Sequence, residues 1–136
     1  MTITYRRERP PLDDLIAVYH ACTLGGRRPV DDQPRMAAML AEANLVVGAW
    51  ESEVLVGVAR ALTDSVYVTY LSDLAVRDSH QRRGVGKGLI AQVRAAAPGA
   101  SLVLLSAPQA VDYYPHLGFT RHDSAWVVKP GQELRA

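Results

Sequence analysis

The chain has 136 residues, a formal net charge of +1, 49% hydrophobic residues and 21% charged residues, which is typical of one folded domain and excludes a disordered chain. Its single cysteine excludes an internal disulfide framework, and no apolar run reaches the ~18–20 residues of a membrane span. The histidines and the cysteine lack metal-ligand spacing, so we expect no metal site. We expect a cytoplasmic protein without a signal peptide, and the near-neutral charge predicts no nucleic-acid or membrane partner.

The first third of the chain predicts one short strand and two helices. Residues 2–6 alternate weakly, as an edge strand does. Apolar residues at helical spacing predict a helix over residues 11–22, which follows a pair of prolines. After a glycine-containing loop, Asp31 or Asp32 is placed to cap a second helix. The apolar face of that helix would consist of Met36, Met39, Leu40 and Ala43.

The middle of the chain predicts a meander of three strands. Leu45–Trp50 and Val54–Ala59 are short apolar runs joined by three polar residues, a pattern typical of an antiparallel hairpin. A longer stretch from Val66 to Val76 is rich in Val, Tyr, Thr and Leu and predicts the third strand.

The remaining chain alternates helices and strands. A helical stripe begins at Val85 and stops at Pro98, and Leu102–Leu105 reads as a buried strand. A short helix over Pro108–Leu117 and a last strand over Ala125–Val128 complete the order β-α-α-β-β-β-α-β-α-β. This order predicts a single α/β domain over residues 1–136 with a mixed sheet.

The most informative segment is a basic glycine loop between a strand and a helix. It contains Gln81-Arg82-Arg83-Gly84-Val85-Gly86, followed by Lys87. Such a loop directs backbone N–H groups and the positive end of a helix at an anion, and its glycines allow close approach. A Walker A loop is excluded because Gly88 stands where Ser or Thr is required, and a dinucleotide fingerprint is excluded because Leu89 replaces its third glycine.

Three motifs in order resemble the GNAT superfamily of N-acetyltransferases. The loop is similar to the family's Gln-x-x-Gly-x-Gly segment, which holds the pyrophosphate of coenzyme A. Tyr70–Val76 resembles its splayed fourth strand, and Ala110–Phe119 resembles its Ala-x-x-Phe-Tyr-x-x-x-Gly-Phe segment, with Tyr113 in place of Phe and Pro115 after the key tyrosine. The resemblance implies a mostly antiparallel mixed sheet of six to seven strands flanked by about four helices, with acetyl-CoA as the cosubstrate.

The resemblance also implies which residues hold acetyl-CoA and carry the chemistry. The backbone of Leu74, Ala75 and Val76 would hold the pantetheine arm, with the N–H of Leu74 facing the oxyanion. Tyr114 would donate a proton to the departing thiolate. Asp73 has three open roles: a base acting through water, an anchor for a cationic amine, or a salt-bridge partner of the loop. The pyrophosphate would be bound by Gln81, Arg82, Arg83, Gly84, Val85, Gly86 and Lys87.

The acceptor is the least determined part of the site. By resemblance Arg28, Arg60, Tyr67 and Trp126 lie where the family builds its acceptor site, and two arginines there suit a carboxylate or phosphate. We expect direct attack by a small primary amine in a ternary complex, in a pocket that is compact or shared across a homodimer. The alternatives are a protein or peptide N-acetyltransferase and a non-catalytic acyl-CoA sensor. A nucleic-acid binder is disfavoured because its basic cluster is local.

Overall fold

The computed structural model describes residues 1–135 and divides the chain into two compact units. The first is Met1–Leu105, and the second begins at Ser106. No helix in the described chain is long and apolar enough to cross a membrane. Because the chain divides into two units, one domain over residues 1–136 stays a prediction.

The first unit is built on a five-stranded sheet in the order β1-β2-β3-β4-β5. Its strands are β1 (Thr4–Arg6), β2 (Leu45–Glu51), β3 (Val54–Thr63), β4 (Val68–Val76) and β5 (Ser101–Leu104). The first four pair antiparallel, which confirms the predicted meander, and β5 pairs parallel with β4. The predicted six to seven strands were too many.

Helices cover both faces of this sheet. They are α1 (Leu12–His20), α2 (Gln33–Glu42) and α3 (Val85–Ala96). Neighbouring strand residues point to opposite faces. Val58 packs in the core cluster of α1 and α2, whereas the adjacent Gly57 faces Leu89 of α3. The three helices predicted within residues 11–97 are therefore confirmed, and Asp32 is the residue that caps α2, through a hydrogen bond from the backbone N–H of Arg35.

Close packing joins α3 to the edge strand β1. A Cβ atom at Gly88 would overlap the hydroxyl end of Tyr5. Only glycine therefore lets α3 approach β1 this closely, since any side chain would need Tyr5 to move. This contact gives Gly88 a packing role next to the glycine loop.

The second unit differs from its sequence prediction. Its helix α4 (Tyr113–His116) is a single turn preceded by a 3₁₀ turn at Pro108–Ala110, in place of one helix over Pro108–Leu117. Pro115 lacks an N–H, which limits a helix to its first turn. The strand predicted over Ala125–Val128 is wrong, since residues 106–135 contain no strand. This segment is rich in residues that favour strands, but none of the described strands pairs with it, and its Trp126 is 90% exposed.

Candidate active site

An extra residue bends β4 in the middle of its ladder with β3. Arg60 pairs with Asp73, but the next residue, Ala61, pairs with Leu71, so Ser72 is left over as a β-bulge. A bulge bends its strand and increases the local twist. The bulge separates a first half of β4 that pairs with two neighbours from a second half that pairs with one.

The second half of β4 has a free edge. The ladder with β5 ends at Leu71, which pairs with Leu104, whereas β4 continues to Val76. The N–H of Arg77 donates to the C=O of Val56 in β3, so by alternation the backbone groups of Leu74 and Val76 point away from β3. An extended ligand can therefore hydrogen-bond along this edge as an added strand would.

The glycine loop follows this edge directly. The side chain of Gln81 donates to the C=O of Val76 at 3.1 Å and to the carboxylate of Asp78 at 3.1 Å, which closes the loop back onto β4. Arg82 and Gly84 both have positive φ, at 63° and 80°. This left-handed backbone turns the chain sharply into α3.

The first turn of α3 presents backbone donors to solvent-accessible space. The first bond of the helix runs from the N–H of Gly88 to the C=O of Gly84, and no side chain caps the helix. Within residues 1–135, the N–H groups of Val85, Gly86 and Lys87 donate to no acceptor. The exposed residues Arg82 and Arg83 precede this turn in the chain, and the exposed Lys87 belongs to it. Free N–H groups at a helix N-terminus with three nearby cations suit a diphosphate.

Directly after the bulge, Asp73 is the centre of a buried ion-pair cluster, which we define as Tyr19, Arg28, Arg60 and Asp73. The carboxylate of Asp73 accepts hydrogen bonds from Arg28 Nε at 2.7 Å, Arg60 Nε at 2.7 Å and the Tyr19 hydroxyl at 2.6 Å. Its side chain is 0% exposed, against 22% for Arg28 and 11% for Arg60.

The same two arginines hold the bulge. Arg28 Nη2 donates to the C=O of Ser72 at 2.8 Å, and Arg60 Nη2 donates to its hydroxyl at 2.9 Å. The loop between α1 and α2 carries Arg28, so these contacts attach that loop to β4. The cluster therefore fixes both the bulge and the adjoining free edge.

These contacts set the charge states in the cluster. Burial raises the pKa of Asp73, but hydrogen bonds from Arg60 and Tyr19 and the charges of Arg60 and Arg28 outweigh it and hold that pKa below its ordinary value. Burial, together with the charge and hydrogen bond of Asp73, raises the pKa of Tyr19 well above its ordinary value. At neutral pH Asp73 is therefore ionised and Tyr19 is neutral.

Tyr114 lies in the second unit, in an aromatic group of its own. Its ring makes edge-to-face contacts with Tyr113, at 5.1 Å between centroids, and with Phe119, at 5.4 Å. Its backbone C=O accepts from the N–H groups of Leu117 and Phe119. Burial, with a smaller effect of Tyr113, raises the pKa of Tyr114. The phenol therefore keeps its proton over the whole neutral range.

The predicted acceptor residues have separate surroundings. The structure brings Arg28 and Arg60 together on one carboxylate. Tyr67 lies in the turn before β4 and is 79% exposed, and Trp126 is in no strand. For Tyr67 and Trp126 an acceptor role stays a prediction. Sequence reasoning missed Tyr19. Its spacing on α1 indicated only that it lies on the apolar face of the helix, and not that its hydroxyl donates to Asp73.

Two sequence comparisons identify relatives of the chain. The family model described as an acetyltransferase (GNAT) domain matches residues 29–131. An uncharacterised N-acetyltransferase, ycf52, of Gracilaria tenuistipitata var. liui is 34% identical over 68 residues, which are 48% of this chain and 37% of that protein. The match therefore spans well under half of that relative's length.

Solved structures share the fold at low sequence identity. A GNAT family acetyltransferase, SP0256, from Streptococcus pneumoniae TIGR4 has a TM-score of 0.77 and 22% identity, covering 97% of this chain and 100% of that one. The PaiA N-acetyltransferase of Thermoplasma acidophilum, in complex with coenzyme A, has a TM-score of 0.71 and 16% identity, covering 92% and 94% of the two chains.

Proposed function

The chain belongs to the GNAT acetyltransferase family, and on this premise we propose that it transfers the acetyl group of acetyl-CoA to the primary amine of a small molecule. The amine attacks directly, in a ternary complex. This proposal depends on one observation above all: β4 continues past the end of its ladder with β5 and leads directly into the glycine loop.

The free edge and the loop fit two parts of coenzyme A. The backbone N–H and C=O of Leu74, which point away from β3, suit the amides of a pantetheine arm. The C=O of Val76 already accepts from the side chain of Gln81, so for Val76 a role at the pantetheine arm stays a prediction. The N–H groups at the start of α3, with Arg82, Arg83 and Lys87 next to them in the chain, suit its diphosphate. Gln81 and Gly84 shape this loop, whereas Ala75 is 1% exposed and belongs to the core.

The reaction needs an oxyanion donor and a proton for the leaving sulfur. A preset backbone donor such as the N–H of Leu74 is worth roughly 3 kcal/mol of barrier when it faces the developing oxyanion. Tyr114 is neutral at physiological pH and can donate its proton to the sulfur that leaves. When bound, acetyl-CoA supplies the activated acyl group.

We propose a positioning role for Asp73 in place of the base or amine anchor considered from the sequence. Both of its oxygens already accept short hydrogen bonds from charged or phenolic donors. A carboxylate with a lowered pKa and engaged oxygens is a poor proton acceptor. An alkylamine, with a pKa of ~10.4, therefore loses its proton to solvent water.

Two measurements test the proposal. Calorimetry tests whether CoA binds the folded full chain, and thiol release from acetyl-CoA is measured with a panel of amines, polyamines, amino acids and peptides. We expect binding and amine-dependent release. Absence of CoA binding at millimolar concentration would refute the function. Binding without release for any acceptor would identify an acyl-CoA sensor, and release with peptides alone would identify a protein N-acetyltransferase.

Adjacent tyrosines provide a matched pair for the proton donor. Tyr114→Phe removes the hydroxyl and should lower kcat by more than about tenfold while the Kd of acetyl-CoA stays the same. Tyr113→Phe removes a hydroxyl from the neighbouring ring and should leave kcat within about twofold. Equal kcat values for the two variants would exclude Tyr114 as the donor.

A further inference from the structure

The Tyr19–Arg28–Arg60–Asp73 cluster carries an unbalanced positive charge. Arg28 and Arg60 contribute two charges, Asp73 contributes one negative charge, and Tyr19 is neutral. Within residues 1–135, no other carboxylate lies within 4 Å of either guanidinium. A buried or half-buried charge without a partner is costly, so this site favours one further anion.

Arg28 is the part of the cluster that a ligand can reach. Its side chain is 22% exposed, whereas Asp73 is fully buried. Arg28 donates one hydrogen bond each to Asp73, Ser72 and the C=O of Arg27. A guanidinium has five N–H groups, so two of them remain on its terminal nitrogens. Two N–H groups on a planar cation suit the oxygens of a carboxylate or phosphate.

The cluster is directly adjacent to the free edge of β4. Asp73 precedes Leu74 in the chain, and consecutive Cα atoms are about 3.8 Å apart. Arg28 also contacts Ser72, the bulge residue that precedes both. A small molecule held at Arg28 therefore lies close to Leu74, on the strand edge assigned to the thioester arm.

We propose that Arg28 selects acceptors that carry an oxyanion, a carboxylate or a phosphate, in addition to the amine. This inference rests on the proposed acetyltransferase function and names its substrate class. Arg60 and Asp73 hold the guanidinium of Arg28 at the bulge, and the acceptor anion supplies the missing negative charge. Amines without an anionic group lack this interaction with Arg28, so we expect a lower kcat/KM for them.

Paired acceptors test the proposal on the full chain. Each pair shares an amine and differs in the anion: an amino acid with its amide, and phosphoethanolamine with ethanolamine. We expect kcat/KM to be at least about tenfold higher for the anionic member of at least one pair, which corresponds to about 1.4 kcal/mol. The first pair reports on carboxylate and the second on phosphate. A ratio below twofold in both pairs would overturn the proposal.

Variants assign the preference to Arg28. Arg28→Gln should reduce the ratio to about twofold or less. The ratio compares two acceptors on the same variant, so a change in CoA affinity affects both members of a pair equally. Arg28→Lys keeps the charge that balances Asp73, and should also lower the ratio because an ammonium lacks the planar fork. Arg35→Gln removes an exposed charge from α2 and is the control. An unchanged ratio in both folded Arg28 variants would refute the assignment.

The failure of this inference can be told from failure of the proposed function. If CoA does not bind, the acetyltransferase proposal fails and the acceptor inference fails with it. If CoA binds and acceptors without an anionic group have the same kcat/KM as anionic ones, only the acceptor inference fails. If no acceptor turns over, calorimetry in the presence of CoA decides: no binding of either anionic probe overturns the inference.

Discussion

The replacement Asp73→Asn tests whether the buried cluster holds the first unit together. The change keeps the shape of the side chain but removes its charge. In the wild type, three N–H and O–H donors bond to the carboxylate of Asp73. Asparagine has only one side-chain oxygen to accept them, and its NH₂ group, itself a donor, would face the others. Two guanidinium groups would then share the site without a counter-charge.

The expected loss follows from the burial of these partners. Breaking a buried ion pair by removing one member costs about 3–5 kcal/mol of unfolding free energy. Arg28 is partly solvated, so its share is reduced, and we expect a loss of about 3 kcal/mol. That is a large part of the ~5–15 kcal/mol that stabilises a typical domain.

Urea unfolding of the wild type and the variant at pH 7 measures this loss. Asp31→Asn, which changes an exposed carboxylate in the loop before α2, is the matched control and should change stability by less than about 0.5 kcal/mol. A loss of less than about 1 kcal/mol in Asp73→Asn would refute the reasoning, because the cluster would then contribute little to the fold.

The pH dependence of this loss checks its origin. The folded-state pKa of Asp73 is lowered, so its contribution is present above its unfolded pKa and disappears as the pH falls through the folded value. The stability difference between wild type and Asp73→Asn should therefore be constant above about pH 5 and shrink below about pH 4. A difference that instead changes between pH 6 and 8 would point to another group.

Three further substitutions test packing around the site. Gly84→Ala places a side chain at a φ of 80° where it meets no atom within 4 Å, so stability should fall by about 1–2 kcal/mol from backbone strain alone, and CoA affinity should fall with it, as measured by calorimetry. Gly88→Ala should destabilise the wild type but not a Tyr5→Ala background, in thermal unfolding of both, because the three atoms nearest the new methyl group all belong to that tyrosine. Arg9→Ala removes a side chain that donates to three carbonyls at the C-terminal end of α2 and should cost about 1–2 kcal/mol in urea unfolding, with Arg35→Ala on the same helix as control.

Local patterns were sufficient to locate the helices and strands of the first unit, although β5, which the sequence predicted as buried, alternates between exposed and half-buried residues. The helix α3 begins at Val85 and ends at Ala96, between a glycine and a Pro-Gly pair that the sequence shows directly. In the second unit the same approach failed. The Ala125–Val128 run has strand composition, but a strand also needs a neighbour to pair with, which composition does not report.

The cluster could not be predicted from spacing. Its three hydrogen bonds to Asp73 join residues that are 54, 45 and 13 positions apart in the chain. Tyr19 fits an apolar helical face equally well with or without a partner for its hydroxyl. The sequence therefore suggested Arg28, Arg60 and Asp73 one by one, through resemblance, and only the fold shows that they form one charged group.

The bulge at Ser72 consists of one inserted residue, so it depends on the length of β4. The extra residue is not needed for pairing with β3, because removing it would put Leu71 and Asp73 opposite consecutive residues of that strand. A bulge bends its strand, and this one coincides with the end of the ladder between β4 and β5 at Leu71. We expect the deletion of Ser72 to keep each remaining side chain of β4 on its present face of the sheet. The deletion should also remove the bend that the bulge introduces. The free edge along the second half of β4 should therefore depend on this one inserted position together with the arginine contacts that hold it.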